Sequence, residues 1–219
     1  ADTMNGGAGN DTFVVNDSDV VDGGDGIDLV QSSLQDVDFS DTALYTNAEN
    51  ITLLNLTAST ANNLAATGTG DANKIVGNLG DNVIDGGAGD DTMQGGKGSD
   101  TYKVDASGDR ISEYLNQGTA DEVEATGSAG FTSYTLTANV ENLTMLGTLV
   151  TGKGNGLANS IVGNIEANVI DGMGGNDTME GGLGADRLFG DAGNDVLSGD
   201  EGNDIMNGGA GNDRFVFDS

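Results

Sequence analysis

Acidic residues placed at regular intervals between glycines are the part of this sequence best suited to chemistry. Over the last third of the chain an aspartate recurs every nine residues, two positions after a glycine and two before an apolar residue. Carboxylate and backbone carbonyl oxygens are the ligands of hard cations such as calcium, which takes six to eight of them. The candidate metal ligands in this series are Asp177, Asp186, Asp195, Asp204, Asp213, Gly175, Gly184, Gly193, Gly202 and Gly211.

These aspartates belong to a nine-residue word that opens on glycine. Seven words run without a gap from 154 to 216, four run from 68 to 103, and single words stand at 6–14 and 23–31. All thirteen carry an apolar residue at position eight, and position six holds Asp in nine words and Asn in four. A fixed period of this kind indicates a solenoid. The earlier words add four candidate metal ligands: Asp11, Asp28, Asp91 and Asp100.

The composition is strongly acidic, with 36 Asp and Glu against 7 Lys and Arg and a formal charge of −29. With 38 Gly, 5% aromatic residues and no Trp, the chain has little material for a thick core. Such a balance favours disorder in the absence of a ligand. It argues against nucleic acid and anionic membranes as partners, because both require a basic surface. Calcium is the expected cofactor and partner, bound as several ions.

Cysteine and histidine are both absent. Their absence from this stretch removes disulfides, thiolate metal sites, thiol nucleophiles and histidine-based acid–base catalysis. No apolar run approaches the 18 or so residues of a membrane helix, so we expect no membrane insertion. We expect the chain to be non-enzymatic.

The words and the stretches between them divide the chain into segments. A longer repeat of nearly ninety residues overlies the nonapeptide, and the second copy contains three additional words at 181–207. Whole-word insertion is what a stack of equivalent coils tolerates. The expected segments are words with a truncated start at 1–31, a β-rich spacer at 32–67, words at 68–103, a β-rich spacer at 104–153, words at 154–216, and the start of a further unit at 217–219.

Short strands are favoured over helices throughout, because glycine recurs in every word and costs roughly 1 kcal/mol against alanine in a helix interior. Positions seven to nine predict a three-residue strand whose central side chain faces inward. The first six positions predict a turn that requires positive φ. The two spacers are expected either to continue the solenoid irregularly or to flank it as β-rich insertions.

Cation sites follow if two words make one coil, since words two apart then stack on the same side. The same-side pairs that join two Asp words in 154–216 are Asp177 with Asp195, Asp186 with Asp204, and Asp195 with Asp213. Asn at position six supplies an oxygen without a charge, so its words have two interpretations. They either bind calcium weakly or form stacked side-chain hydrogen bonds, and we favour the second. These words carry Asn73, Asn82, Asn159 and Asn168.

The word resembles the calcium-binding nonapeptide repeat of hemolysin-type (RTX) proteins, and the match is specific where seven copies are contiguous. The resemblance implies an all-β fold, a right-handed parallel β-roll or β-solenoid with calcium ions held between stacked turns. It also implies type I export from a bacterial cell, with folding outside in calcium.

Two functions are compatible with this resemblance. The long-period duplication favours a calcium-dependent structural repeat region of a secreted bacterial surface protein, such as an adhesin, a surface-layer protein or a filament-forming protein. The alternative is the C-terminal folding and export module of a secreted protease, lipase or polysaccharide-modifying enzyme. The words cut at either terminus lead us to expect further repeats or end-to-end self-association.

Overall fold

We describe the computed structural model of the chain over residues 2–15, 19–32, 36–38, 45–46, 48, 50–53 and 63–217. Within these ranges every helix or strand is a β-strand, so the expected all-β class is confirmed. No helix in the same ranges is long and apolar enough to cross a bilayer. Contacts group the residues into two compact units, unit 1 over 1–118 and unit 2 over 119–219. Part of the first spacer, 54–62, and residues 218 and 219 lie outside the described residues.

Unit 1 is built from short parallel strands. Its strands are β1 (Thr3–Asn5), β2 (Thr12–Val15), β3 (Val20–Asp22), β4 (Leu29–Ser32), β5 (Val37–Asp38), β6 (Tyr45–Thr46), β7 (Asn50–Leu53), β8 (Ala65–Thr67), β9 (Lys74–Val76), β10 (Val83–Asp85), β11 (Thr92–Gln94), β12 (Thr101–Val104) and β13 (Arg110–Ile111). They form the rows β1-β3-β6, β13-β11-β9-β7-β4-β2 and β12-β10-β8-β5.

Unit 2 has the same construction. Its strands are β14 (Glu122–Gly127), β15 (Ser133–Thr135), β16 (Asn142–Gly147), β17 (Thr151–Lys153), β18 (Ser160–Val162), β19 (Val169–Asp171), β20 (Thr178–Glu180), β21 (Leu183–Gly184), β22 (Arg187–Phe189), β23 (Val196–Ser198), β24 (Glu201–Gly202), β25 (Ile205–Asn207) and β26 (Arg214–Val216). The rows are β26-β23-β20-β18-β16-β14, β15-β17-β19-β22-β25 and the short pair β21-β24.

Strand register shows that two words make one coil. In unit 2 Thr178 pairs with Val196 and Val196 pairs with Arg214, a shift of eighteen residues each time. The alternate words form the second row, in which Val169 pairs with Arg187. The parallel β-solenoid expected from the period is therefore confirmed. Near the start of unit 1 the shift is seventeen residues, as in the pairing of Thr12 with Leu29.

In the contiguous words of unit 2 the core is formed by position-eight side chains from the two rows. Seven strands of the contiguous words in unit 2 occupy positions seven to nine, as expected, whereas β21 and β24 lie at positions three and four, within the predicted turn. Ile161, Ile170, Met179, Leu188 and Leu197 are fully buried. Each fully buried side chain of this size stabilises the fold by roughly 1.5–3 kcal/mol.

Strands also pair in parallel inside the spacer of unit 2. β14 and β16 are six residues long and pair over their whole length, from Glu122 with Asn142 to Gly127 with Gly147. β16 then pairs with β18, the first strand of the contiguous words. Over residues 119–153 the chain therefore continues the solenoid with longer, irregular coils, the first of the two arrangements considered for the spacers.

Candidate calcium-binding turns

The position-six aspartates lie in register along each side of the coil stack. The backbone N–H of Asp177 donates to Oδ1 of Asp195 at 2.8 Å. The N–H of Asp195 donates in turn to Oδ1 of Asp213 at 3.1 Å. On the other side, the N–H of Asp186 donates to Oδ1 of Asp204 at 2.9 Å. The three pairs derived from the repeat are thus brought together, one coil apart.

The earlier aspartates are held in the same way. The N–H of Asp11 donates to Oδ1 of Asp28 at 2.8 Å. The N–H groups of Asn73 and Asn82 donate to Oδ1 of Asp91 and Asp100, both at 2.7 Å. In each case one carboxylate oxygen is fixed by the preceding coil, which leaves the second oxygen to be accounted for.

The second carboxylate oxygen is buried without a hydrogen-bond partner in several turns. This is true of Oδ2 in Asp91, Asp177, Asp186 and Asp195, whose side chains are at most 1% exposed, and of Oδ2 in Asp11. A buried anionic oxygen that lacks a donor is strongly destabilising unless a cation or proton compensates it. The repetition of this feature at the same position of successive words indicates a shared ligand.

The first glycine of each word explains where this oxygen points. A Cβ placed on Gly181 would lie 2.5 Å from Oδ2 of Asp186 and 2.7 Å from the carbonyl oxygen of Gly199, one coil further on. The carboxylate and the carbonyl therefore converge on a position that only glycine leaves open. This combination of anionic and carbonyl oxygens is the donor set that calcium prefers, so the residues present fit the cation.

Burial also raises the pKa of several of these carboxyl groups. Burial raises the pKa of Asp177 to about 6, although the N–H of Asn159 lowers it and the Asp195 carboxylate raises it further. Burial likewise raises the pKa of Asp91 to about 6, with Asp109 and other carboxylates contributing. The pKa of Asp186 is raised for the same reason. Without a cation, the ionised form of these turns is disfavoured.

Words with Asp at position six share a backbone conformation that we call the open turn. Positions two and four both have positive φ, and position four is always glycine. The fourth-position glycines are required because the coils approach closely: a Cβ on Gly193 would overlap the carbonyl oxygen of Gly175. The φ values are 123° at Gly175, 132° at Gly184, 157° at Gly193, 159° at Gly202 and 142° at Gly211. That their carbonyls ligate calcium remains a prediction.

Words with Asn at position six have a different conformation, the closed turn. Their position-two residues have no positive φ. Instead, the Asn Oδ1 accepts the position-two N–H of its own word, at 2.8 Å from Asn155 to Asn159 and 2.9 Å from Asn164 to Asn168. The amide Nδ2 of Asn168 donates to the carbonyl of Leu149 in the preceding coil at 3.0 Å. Both ends of the side chain are therefore used by backbone groups. The neutral, hydrogen-bonding role is supported, but its partners are backbone atoms rather than stacked asparagines.

A ladder of asparagines exists at position five instead. The N–H of Asn194 donates to Oδ1 of Asn176 at 2.8 Å, and the N–H of Asn212 donates to Oδ1 of Asn194 at 2.8 Å. These groups are exposed, so the ladder lies along the outer rim of the turns. Its residues were not distinguished in the sequence, although the Asn-Asp dipeptide at positions five and six was visible in those words.

Sequence reasoning missed carboxylates that occupy the same register outside the glycine-rich words. Asp19 accepts the N–H of Asp2 at 2.7 Å, Asp109 accepts that of Asp91 at 3.0 Å, and Glu141 accepts that of Asp121 at 3.0 Å. Each precedes a buried apolar residue by two positions, which is the signal that could have revealed them. Asp109 also closes its own turn, because its Oδ2 accepts the N–H of Asp105 at 3.2 Å.

The turn of Asp100 differs from the other Asp turns. The hydroxyl of Tyr102 donates to the carboxylate of the buried Glu113. The N–H of Gly95, the first glycine of this word, donates to that hydroxyl at 2.6 Å. The position in front of Gly95 is therefore shared by a tyrosine hydroxyl and two carboxyl groups. Burial and the neighbouring Glu113 raise the pKa of Tyr102 well above its usual range.

No group of three or more acidic side chains with a geometry suited to a metal occurs among the described residues. Each open turn supplies one carboxylate, and stacked turns supply two. A calcium ion between them would take most of its remaining ligands from backbone carbonyls. This accounts for the glycine content of the turns, since only glycine exposes the carbonyls at such close spacing.

Comparison with known families agrees with this geometry. The model of the RTX calcium-binding nonapeptide repeat matches four times, at residues 1–30, 67–102, 153–188 and 180–215. These matches cover more than half of the chain, which therefore belongs to the RTX calcium-binding repeat family. A search of curated proteins found no significant match.

Proposed function

We propose that the chain is a calcium-dependent structural repeat region of a secreted bacterial surface protein, of the adhesin, surface-layer or filament-forming type. The observation that carries the proposal is the series of buried, partnerless carboxylate oxygens in stacked open turns. The residues that would hold calcium are the position-six aspartates, with Asp177, Asp186 and Asp195 as the central members. Bound calcium would supply the positive charge that these oxygens lack.

Calcium acts in this proposal as part of the fold. The chain carries a formal charge of −29, so its collapse brings like charges together. A cation that binds the folded turns and not the unfolded chain adds its binding free energy to folding. The family resemblance supports the proposal that this event follows type I export, when an unfolded chain would meet extracellular calcium.

The non-enzymatic role is part of the same proposal. Its support is that the position-six acids of 172–216 are engaged in the stack, where their Oδ1 atoms accept backbone N–H groups of the preceding coil. The longer duplication also supports it, since tandem copies extend a scaffold.

The direct test is a calcium titration followed by far-UV circular dichroism and thermal melting. We expect a cooperative gain of β-structure at about 0.1–1 mM calcium, the range of extracellular calcium modules. Magnesium at the same concentration is the control, because it demands a stricter octahedral geometry and keeps its water. A spectrum and a melting temperature that are the same in calcium and in chelator would overturn the proposal.

Self-association along the coil axis is a further part of the proposal. Its support is the stacking of equivalent coils, in which an inner strand such as β23 pairs in parallel with a strand on each side along its row. Light scattering should show particles that grow with protein concentration in calcium and disperse in chelator. A concentration-independent monomer in millimolar calcium would remove self-association from the proposal and leave calcium binding intact.

A further inference from the structure

The two turn types are not mixed along unit 2 but divide it into two blocks. Residues 119–171 include the irregular coils and two closed turns, and they contain no open turn. Residues 172–216 consist of five consecutive words, each with an open turn. We call these ranges the closed block and the open block.

The closed block has the more extensive apolar core. Its six-residue strands β14 and β16 bury Val123, Leu143 and Met145, each at most 1% exposed. Leu149 and Ile161 are fully buried beside them. Burial of this kind stabilises a structure without any ligand.

The closed block also satisfies its own polar groups. Nδ2 of Asn155 donates to the carbonyls of Thr137 and Val140, both at 2.8 Å. Nδ2 of Asn159 donates to the carbonyl of Glu141 at 3.1 Å. Within this block the hydroxyl of Thr137 is the one buried side-chain oxygen or nitrogen that lacks a hydrogen bond. No carboxylate oxygen in this block is buried without a hydrogen bond.

The open block has the opposite property. Three of its carboxylates, in Asp177, Asp186 and Asp195, place a buried oxygen without a hydrogen-bond partner inside the stack. Its strands are two or three residues long. The buried charges therefore destabilise the part of unit 2 that has the shortest strands.

The junction between the blocks is already aligned for the first open coil. The N–H of Asn159 donates to Oδ1 of Asp177 at 2.8 Å, and the N–H of Asn168 donates to Oδ1 of Asp186 at 2.7 Å. Each closed turn thus presents a fixed donor to the aspartate stacked on it. We propose that residues 119–171 fold without calcium and act as the template on which residues 172–216 assemble when calcium binds. This inference rests on the proposed function.

Hydrogen exchange with mass spectrometry on the full chain tests the template directly. In chelator, peptides from 119–171 should exchange slowly, while peptides from 172–216 exchange at the rate of an unfolded chain. Calcium at 100 times the dissociation constant of a site should raise the folding equilibrium constant of the open block by about 100-fold per site, and exchange there should slow accordingly. The closed block should change little. Unprotected amides across 119–171 in chelator would overturn the template.

A reciprocal pair of variants separates the two turn types. Asn168→Asp removes the donor to Leu149 and adds a buried charge, so protection of the closed block in chelator should fall about tenfold or more. Asp186→Asn, at the stacked position one coil later, should leave that protection in place and raise the calcium concentration needed by the open block. If both variants weakened the closed block equally in chelator, the assignment of the blocks would be wrong.

The outcomes also distinguish this inference from the proposed function. If calcium leaves exchange in 172–216 unchanged, the calcium-dependent function fails. If calcium protects 172–216 but chelator unfolds 119–171 as well, the function stands and the template fails.

Discussion

At the scale of single residues, Asp195 is the candidate ligand that has a position-six aspartate hydrogen-bonded to it from the coil on either side. Its Oδ1 accepts from Asp177, its N–H donates to Asp213, and its Oδ2 is buried without a partner. Asp195→Asn keeps the accepting oxygen and replaces the second oxygen with a donor. We expect calcium affinity measured by calorimetry to fall about tenfold or more, because site charge sets affinity.

The matched control for Asp195 is Asn168→Ala. Its side chain joins backbone groups within the closed turns, so its loss should lower the midpoint of urea unfolding with little change in calcium affinity. Equal losses of affinity in the two variants would show that Asn words also bind calcium.

Met173 occupies a backbone position that suits glycine. Its φ is 70°; the same position holds glycine at Gly182 and Gly209 and aspartate at Asp191 and Asp200. A left-handed conformation destabilises the folded state by roughly 1–2 kcal/mol for a residue with a side chain. Glycine avoids this strain, but it also raises the entropy of the unfolded chain, which offsets part of the gain. Met173→Gly should therefore stabilise the calcium-bound protein by about 0.5–1 kcal/mol in urea unfolding.

Leu183→Gly is the control for this change, since Leu183 is 45% exposed against 47% for Met173 and lies in a strand without positive φ. It should destabilise by about 0.5–1 kcal/mol. Destabilisation by both variants would mean that the contacts of Met173 outweigh its backbone strain.

At the scale of elements, the buried carboxylates of the open turns make stability without calcium fall as the pH rises. Calcium affinity should rise over the same range. The folded pKa of Asp91 and of Asp177 is about 6, above the value of about 3.9 in an unfolded chain. Between these values the folded state binds more protons, so stability without calcium should fall as the pH rises from about 4 through 6. The β-structure retained in chelator at pH 5 and at pH 7.5, measured by far-UV circular dichroism, reports this change.

Calcium affinity should move the other way, because protons compete for the same oxygens. Titrations at pH 5 should require more calcium than titrations at pH 7.5. Greater stability at pH 7.5 than at pH 5 in chelator would contradict the role given to these buried carboxylates.

The sequence predicted the strands and the coil well, because both follow from the period alone. Glycine marks the turn, and one apolar residue in nine marks the inward side chain, as at Ile170 and Leu188. The closed turns were less visible, because position two lacks glycine in the closed word of Asn168 and also in open words such as those of Met173 and Asp191. The contact of Tyr102 with Glu113 depends on stacking between coils, which no local pattern encodes.

At the scale of a whole unit, the eighteen-residue register makes orientation depend on whether the number of words is odd or even. Thr178 and Arg214 are exposed in the same row of strands, two coils apart, which corresponds to about 10 Å. Removing the two words 190–207 would leave both residues on that row, one coil apart. Removing the single word 199–207 would send Arg214, and everything after it, to the opposite row. Each word therefore forms half of one coil.

The chain has no cysteine, so spin labels on Thr178→Cys and Arg214→Cys would report this geometry without interference. Dipolar broadening in calcium should be strong in the chain without a deletion, stronger after loss of two words, and weak after loss of one. Equal broadening in the two deletions would show that one word is not half of a coil. Gain or loss of one word would then leave the core intact but move every later residue to the opposite row of strands. An insertion of three words therefore reverses the direction in which the later residues face, whereas an insertion of two words does not.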